Sequence, residues 1–288
     1  MTQEKRINSF PNFKLTVNDM KVKPTDIHLL ALFSANKDAL PLLSLHRWSG
    51  SFLNFLPLLD LLRSKYTPGT LPYHVIVPSL PHYGLRRSSG YRTHLNMLAP
   101  RSPYEILDQE NLTQAEVEHV QRMYDFSVTG SSSILEQGLR PSTICFVLLS
   151  SSFAKLARIG EKFIEWSDSR YPLPLDTALA LVGFYWYTKT YPRSLYLYHY
   201  IAEAEASDVL FAVPTSREKS FGYSVFPAEN ILVPEAGAKQ VYPDLAFYER
   251  NEKSAATRVG TLQPSNNPNS FLQNMEQFSA IARPLTGL

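Results

Sequence analysis

The chain has 288 residues, 28 Lys and Arg against 26 Asp and Glu, a net charge of +2 and 44% hydrophobic residues. That length buries one sizeable core, and near-neutral charge gives no electrostatic footprint for nucleic acid. Cys145 is the only cysteine, which excludes an intrachain disulfide framework and a thiolate metal cluster.

Met1 to Asn8 is polar and lacks a signal-peptide core, and no apolar run reaches the ~18 residues of a membrane span. These features point to a cytoplasmic protein without a transmembrane segment. Phe13-Lys14-Leu15-Thr16-Val17 alternates and Ile27 to Phe33 is apolar, so the first forty residues read as two strands. Leu40 to Leu45 reads as a buried strand, Phe52 to Tyr66 as an amphipathic helix and His74 to Val77 as a second buried strand. Strand, helix, strand at this spacing is a βαβ unit of a parallel sheet.

Further along, Gln114 to Tyr124 has helical spacing behind a Thr113–Glu116 capping box, and Thr129 to Ser133 is expected to break it. Ile144 to Trp166 reads as one or two helices and Asp176 to Lys189 as another. Cys145 sits in an apolar run and reads as a core residue rather than a nucleophile. Leu245 to Tyr248 is the last strand. Pro268 to Phe278 is a terminal helix.

Several stretches carry a resemblance. HRWSGSF and PSLPHYG are similar to HGWPGSF and PSLPGYG of the microsomal-type epoxide hydrolases, a branch of the α/β-hydrolase fold. TGSSSILEQGLRPSTICFVLLSSS, ARIGEKFIEWSD, PLDT and YPRSLYLY resemble the helical lid of the same family over about eighty residues, and FGYSVFPAE resembles its GYSxFPxE segment. The resemblance implies an α/β fold: a partial α/β-hydrolase core with a mainly parallel sheet and an inserted helical lid. It divides the chain into core (1–99), lid (100–211) and core with tail (212–288). The family uses no cofactor or metal, and the implied partner is a small apolar epoxide-type ligand; homo-oligomer formation stays open.

In that family an Asp attacks an epoxide carbon, two lid tyrosines hydrogen-bond the oxygen, and a histidine-activated water cleaves the ester. Backbone N–H groups of the HGWP turn form an oxyanion hole. The matching positions here are Arg47 and Trp48 at the hole, Ser133 for the first tyrosine, Tyr198 for the second and Glu229 for the acid that orients the histidine. Arg47, Ser49 and His82 replace the family's Gly, Pro and Gly. The nucleophile elbow has no match. No two of the twelve glycines are four apart, so no G-x-[Ser/Asp/Cys]-x-G exists, and no histidine follows His199. His46 and His82 are the nearest substitutes.

About fifty residues that would hold the central strand and its elbow are missing after Gly84. The family's helical N-terminal region is also expected to be missing, which exposes apolar surface. The remaining strands must close the gap or leave backbone groups unpaired. Ordinary epoxide hydrolysis is therefore not expected. The readings left open are a truncated or mis-spliced product, a non-catalytic apolar-ligand binder, and a cyclase or lyase using Tyr198 and Glu229.

Overall fold

The computed structural model describes residues 3–19, 22–46, 48, 50–80, 93–96, 98, 112–166, 172–203, 221–226, 229–251 and 268–282. A short helix, α1 (Gln3–Asn8), precedes β1 (Asn12–Asp19), β2 (Val22–Leu32) and β3 (Leu40–Leu43). Of these four elements α1 lacks a counterpart in the sequence reading, because one polar turn carries no apolar stripe. A 3₁₀ turn (Phe52–Phe55) then leads into α2 (Leu56–Lys65). Ser51 starts it with a reciprocal cap: its Oγ accepts the Leu53 N–H at 3.2 Å, and its own N–H donates to Asn54 Oδ1 at 2.8 Å. Leu58, Leu59 and Leu62 of α2 are fully buried, each worth about 1.5–3 kcal/mol of burial. β4 (Tyr73–Pro78) completes the βαβ unit, parallel to β3 as expected.

The helical segment begins with α3 (Gln114–Asp125), capped as expected: Glu116 Oε2 accepts the Thr113 N–H at 2.8 Å. The expected break between Thr129 and Ser133 falls at Ser131, a turn between two helical segments. A π-helical turn (Phe126–Gly130) carries the chain onward, and a side chain on Gly130 would collide with the Phe126 ring. Next come α4 (Ser132–Leu139), α5 (Pro141–Ser150) and α6 (Ser152–Glu165). α5 and α6 are two helices bent by 116°, and Ser151 caps the second by accepting the Ala154 N–H at 3.1 Å. α7 (Leu175–Thr188) ends at Lys189, whose φ of 53° is left-handed, and α8 (Tyr191–Glu203) follows. Among the described residues no single helix is long and apolar enough to cross a membrane.

β5 (Thr93–Leu95), β6 (Phe221–Val225) and β7 (Leu245–Arg250) form a parallel sheet, with α9 (Glu235–Val241) before β7 and α10 (Pro268–Ala282) after it. The strands thus divide into two sheets, ordered β1-β2-β4-β3 and β5-β6-β7. The first is mixed, since β2 pairs antiparallel with both β1 and β4. The core thus lies in two sheets rather than one continuous sheet. Two apolar clusters follow the same division. On β1, the alternating residues Phe13, Leu15 and Val17 are exposed.

α10 joins the two sheets. Its Phe271 packs edge-on against Phe55, and Glu276 takes hydrogen bonds from Lys65 and Tyr66, both at 2.8 Å. At its far end Phe278 packs on His94 of β5 and Phe247 of β7. A side chain on Gly222 would meet Phe278 at 2.6 Å, so β6 needs glycine for this approach.

His94 hydrogen-bonds Ser224 Oγ at 2.8 Å, and burial pushes its pKa down to about 4. The folded protein therefore holds His94 neutral where the unfolded chain is already protonated. That stabilisation is complete above about pH 6.5 and is lost as pH falls towards 4, by about 3 kcal/mol at most. Urea titrations of wild type and His94→Gln at pH 7 and 4.5 check this: the difference between them shrinks at the lower pH. A constant difference would contradict it.

Candidate active site

The turn after β3 carries Trp48, which is buried. Its indole N–H donates to Ser194 Oγ at 3.1 Å, and Ser194 in turn donates to the Tyr191 carbonyl at 2.7 Å. The indole ring meets Tyr198 edge-on at 5.5 Å and Tyr191 at 6.2 Å. Tyr191, Ser194, Leu195 and Tyr198 lie three to four residues apart, so one face of α8 covers the turn. Tyr185 of α7 adds a second tether: its hydroxyl donates to the Gly50 carbonyl at 2.7 Å. α7 and α8 are thereby tied to the turn where the resemblance puts the oxyanion hole. Arg47, Ser49 and His82 lie outside the described residues.

Ser133 and Tyr198 are on packed helices. The His199 ring is bonded to the Gly138 carbonyl at 2.8 Å, and a Cβ on Gly138 would sit 3.2 Å from the Tyr198 carbonyl. Ser133 is buried, its carbonyl accepts from Arg158 Nη2 at 3.1 Å, and its hydroxyl has no hydrogen-bond partner among the described residues. Both polar atoms of buried Gln137, one turn on, are likewise unsatisfied there. Such groups ordinarily find water or a ligand.

Lys155 is fully buried, with its ammonium 4.7 Å from the Trp186 ring and 5.8 Å from Tyr191. Burial lowers its pKa. The same burial raises the Tyr191 hydroxyl. Sequence reasoning missed Tyr185, Tyr191, Ser194 and Lys155. A helical wheel would have found them: Lys155, Ile159, Lys162 and Phe163 recur at four- and seven-residue spacing and are all buried.

Glu229 lies close enough to Tyr223 of β6 for its charge to act on that hydroxyl. It is buried in the turn after β6, with its N–H donating to the Phe226 carbonyl at 3.1 Å. It belongs with the second cluster, where its charge adds to the burial that raises the Tyr223 hydroxyl. His46 does not fit the role of substitute base. It is buried, and its Nε2 accepts the Leu80 N–H at 3.3 Å, so the lone pair a base would use is engaged. Cys145 is buried, with its thiol pKa raised by burial, as a core residue requires.

The family model "Epoxide hydrolase N terminus" matches residues 1–55. A "Putative epoxide hydrolase" of Dothistroma septosporum is 31% identical, over 98% of this chain and 76% of its own length. The chain belongs to the epoxide hydrolase family. The structure of Aspergillus niger epoxide hydrolase is 30% identical and covers 97% of this chain and 80% of its own, with a TM-score of 0.79. Juvenile hormone epoxide hydrolase of Bombyx mori, 18% identical, shares the fold at a TM-score of 0.75 over 96% of this chain and 81% of its own.

The match at residues 1–55 spans α1, the strands β1 to β3 and the turn that carries Trp48. The alignment to the Dothistroma protein spans 333 positions, so at least 45 of them face no residue of this 288-residue chain.

Proposed function

We propose that this epoxide hydrolase family member retains the fold and the aromatic lid contact but not the hydrolytic cycle, and that it binds small apolar epoxide-type ligands without turning them over. The observation that carries this reading is the sequence itself: no nucleophile elbow of the G-x-[Ser/Asp/Cys]-x-G form and no histidine beyond His199. Groups that act as one unit fail together, so a remaining Tyr198 and Glu229 do not sustain the covalent route. The alignment positions without counterparts support a missing internal block, as a truncated or mis-spliced product would have. Trp48 and Tyr198 supply an apolar wall with a phenol for the epoxide oxygen.

The test uses the purified chain and an apolar aryl epoxide. Diol formation is expected to equal the uncatalysed rate, while ligand binding is measurable by titration calorimetry. Tyr198→Ala is expected to weaken that binding about tenfold, the loss of one aromatic contact with a hydrogen bond. Unchanged affinity in the variant would remove the binding reading. Catalysed formation of a cyclised product without oxygen from labelled water would favour a cyclase instead.

A further inference from the structure

Three side chains at the carboxyl end of β4 form a hydrogen-bonded relay that the contacts around Trp48 do not use. His28 of β2 has Ser79 Oγ at 2.8 Å from its Nδ1 and Asn12 Oδ1 at 2.9 Å from its Nε2. The Asn12 amide has one orientation. Its Nδ2 donates to the Phe10 carbonyl at 2.8 Å and to the Ile7 carbonyl at 3.3 Å, which leaves Oδ1 for the imidazole. Facing an oxygen that only accepts, Nε2 carries the ring proton. Nδ1 is then a lone pair, and the Ser79 hydroxyl donates to it. The order is nucleophile, base and orienting group, with each proton set by the next residue.

The backbone holds the same pair together. Ser79 follows β4 directly, and its N–H donates to the His28 carbonyl at 2.8 Å, beside the Leu29–Pro78 pair of the sheet. The imidazole packs edge-on against Phe52 at 5.1 Å. Ser79 and His28 are both half-buried. Burial lowers the imidazole pKa, which keeps the base in its neutral form at neutral pH. The carboxyl ends of parallel strands are where α/β sheets ordinarily meet their ligands.

We propose that Ser79 is an acyl-accepting nucleophile, with His28 as its general base and Asn12 as a positioning residue that sets the base's tautomer, and that its substrates are activated aryl esters. Ser79 Oγ attacks the ester carbonyl carbon as its proton passes to His28 Nδ1. The bond from that carbon to the aryl oxygen then breaks, and the leaving oxygen takes the proton from His28, giving acyl-Ser79 and a phenol. In hydrolase elbows the N–H after the nucleophile stabilises the oxyanion. Here that N–H, of Leu80, is given to His46 Nε2 at 3.3 Å. The ester must therefore bring its own good leaving group, and hydrolysis of acyl-Ser79 is slow. Epoxides do not react by this route, because displacement at carbon expels the oxygen on the side opposite Ser79, out of reach of His28. The inference is independent of the epoxide-binding reading.

The probe is p-nitrophenyl acetate with the full chain, followed by nitrophenol release and intact mass. A burst of about one equivalent is expected, with the acetyl group mapped to Ser79. Ser79→Ala abolishes the burst, and His28→Gln slows it about 100-fold or more. Nitrogen NMR of the wild-type imidazole reads the tautomer directly, with the proton on Nε2. In Asn12→Ala that preference is lost and acylation slows about tenfold. The label position and the wild-type tautomer need no variant, so a substitution that fails to fold does not decide the matter. Acetyl groups found only on lysine or tyrosine, a neutral wild-type imidazole protonated on Nδ1, or an unchanged burst in folded His28→Gln would overturn the proposal.

Discussion

Phe278→Ala is expected to lower the unfolding free energy by about 3–5 kcal/mol, the usual cost of emptying an aromatic site that cannot collapse. The ring is buried against His94, Phe247 and Gly222, one residue from each strand of the second sheet. Marginal stability makes this a large fraction of the total. The loss should also be local. With Phe278 gone, β5 to β7 keep only their own small cluster, so their amides should exchange ahead of those in β2 and β4. Opening the imidazole to water should raise the His94 pKa from about 4 back towards its ordinary value. The acid loss of stability then becomes shallower than in wild type. Urea unfolding at two pH values with site-resolved exchange tests all three. A uniform rise in exchange across both sheets would show that α10 is not what holds the second sheet in place.

Trp48→Ala is expected to cost a similar amount, about 3–5 kcal/mol, for a different reason. The indole touches both tyrosines and Ser194 of α8. Its loss empties the contact between lid and core, so ligand binding should fall together with stability. Trp48→Phe keeps most of the ring and removes only the N–H to Ser194, a cost nearer 1 kcal/mol. Ser194 still donates to the Tyr191 carbonyl, which limits the damage. Thermal unfolding and calorimetry of the two variants separate the ring from the hydrogen bond. If Trp48→Ala left ligand affinity intact, the aromatic contact would not be the binding wall.

Much of the fold was legible because local signals agreed with the tertiary outcome. The βαβ unit shows in the apolar runs around Leu42 and Val75 and in the leucine spacing of α2. The Thr113–Glu116 box reads directly as a helix start. The break near Thr129 was legible, but the π turn before it was not, because it depends on how Phe126 sits over Gly130, a contact that propensity does not encode. The division into two sheets was foreseen only as a difficulty. Which edges stay open depends on long-range pairing, and periodicity fixes a strand without fixing its neighbour. At the site, Trp48 and Tyr198 were found through motifs, and the structure brings them together. Lys155 was overlooked because a lysine reads as surface, although its four-residue spacing to Ile159 already put it on the buried face.

The central claim is that this chain has no covalent route to epoxide hydrolysis. The most direct measurement is the intact mass of the purified 32.7 kDa chain, quenched in acid within milliseconds of mixing with excess aryl epoxide. The account predicts the unmodified mass at every time point and no diol above background. A transient species heavier by one epoxide, mapped to an aspartate and decaying as diol appears, would contradict it.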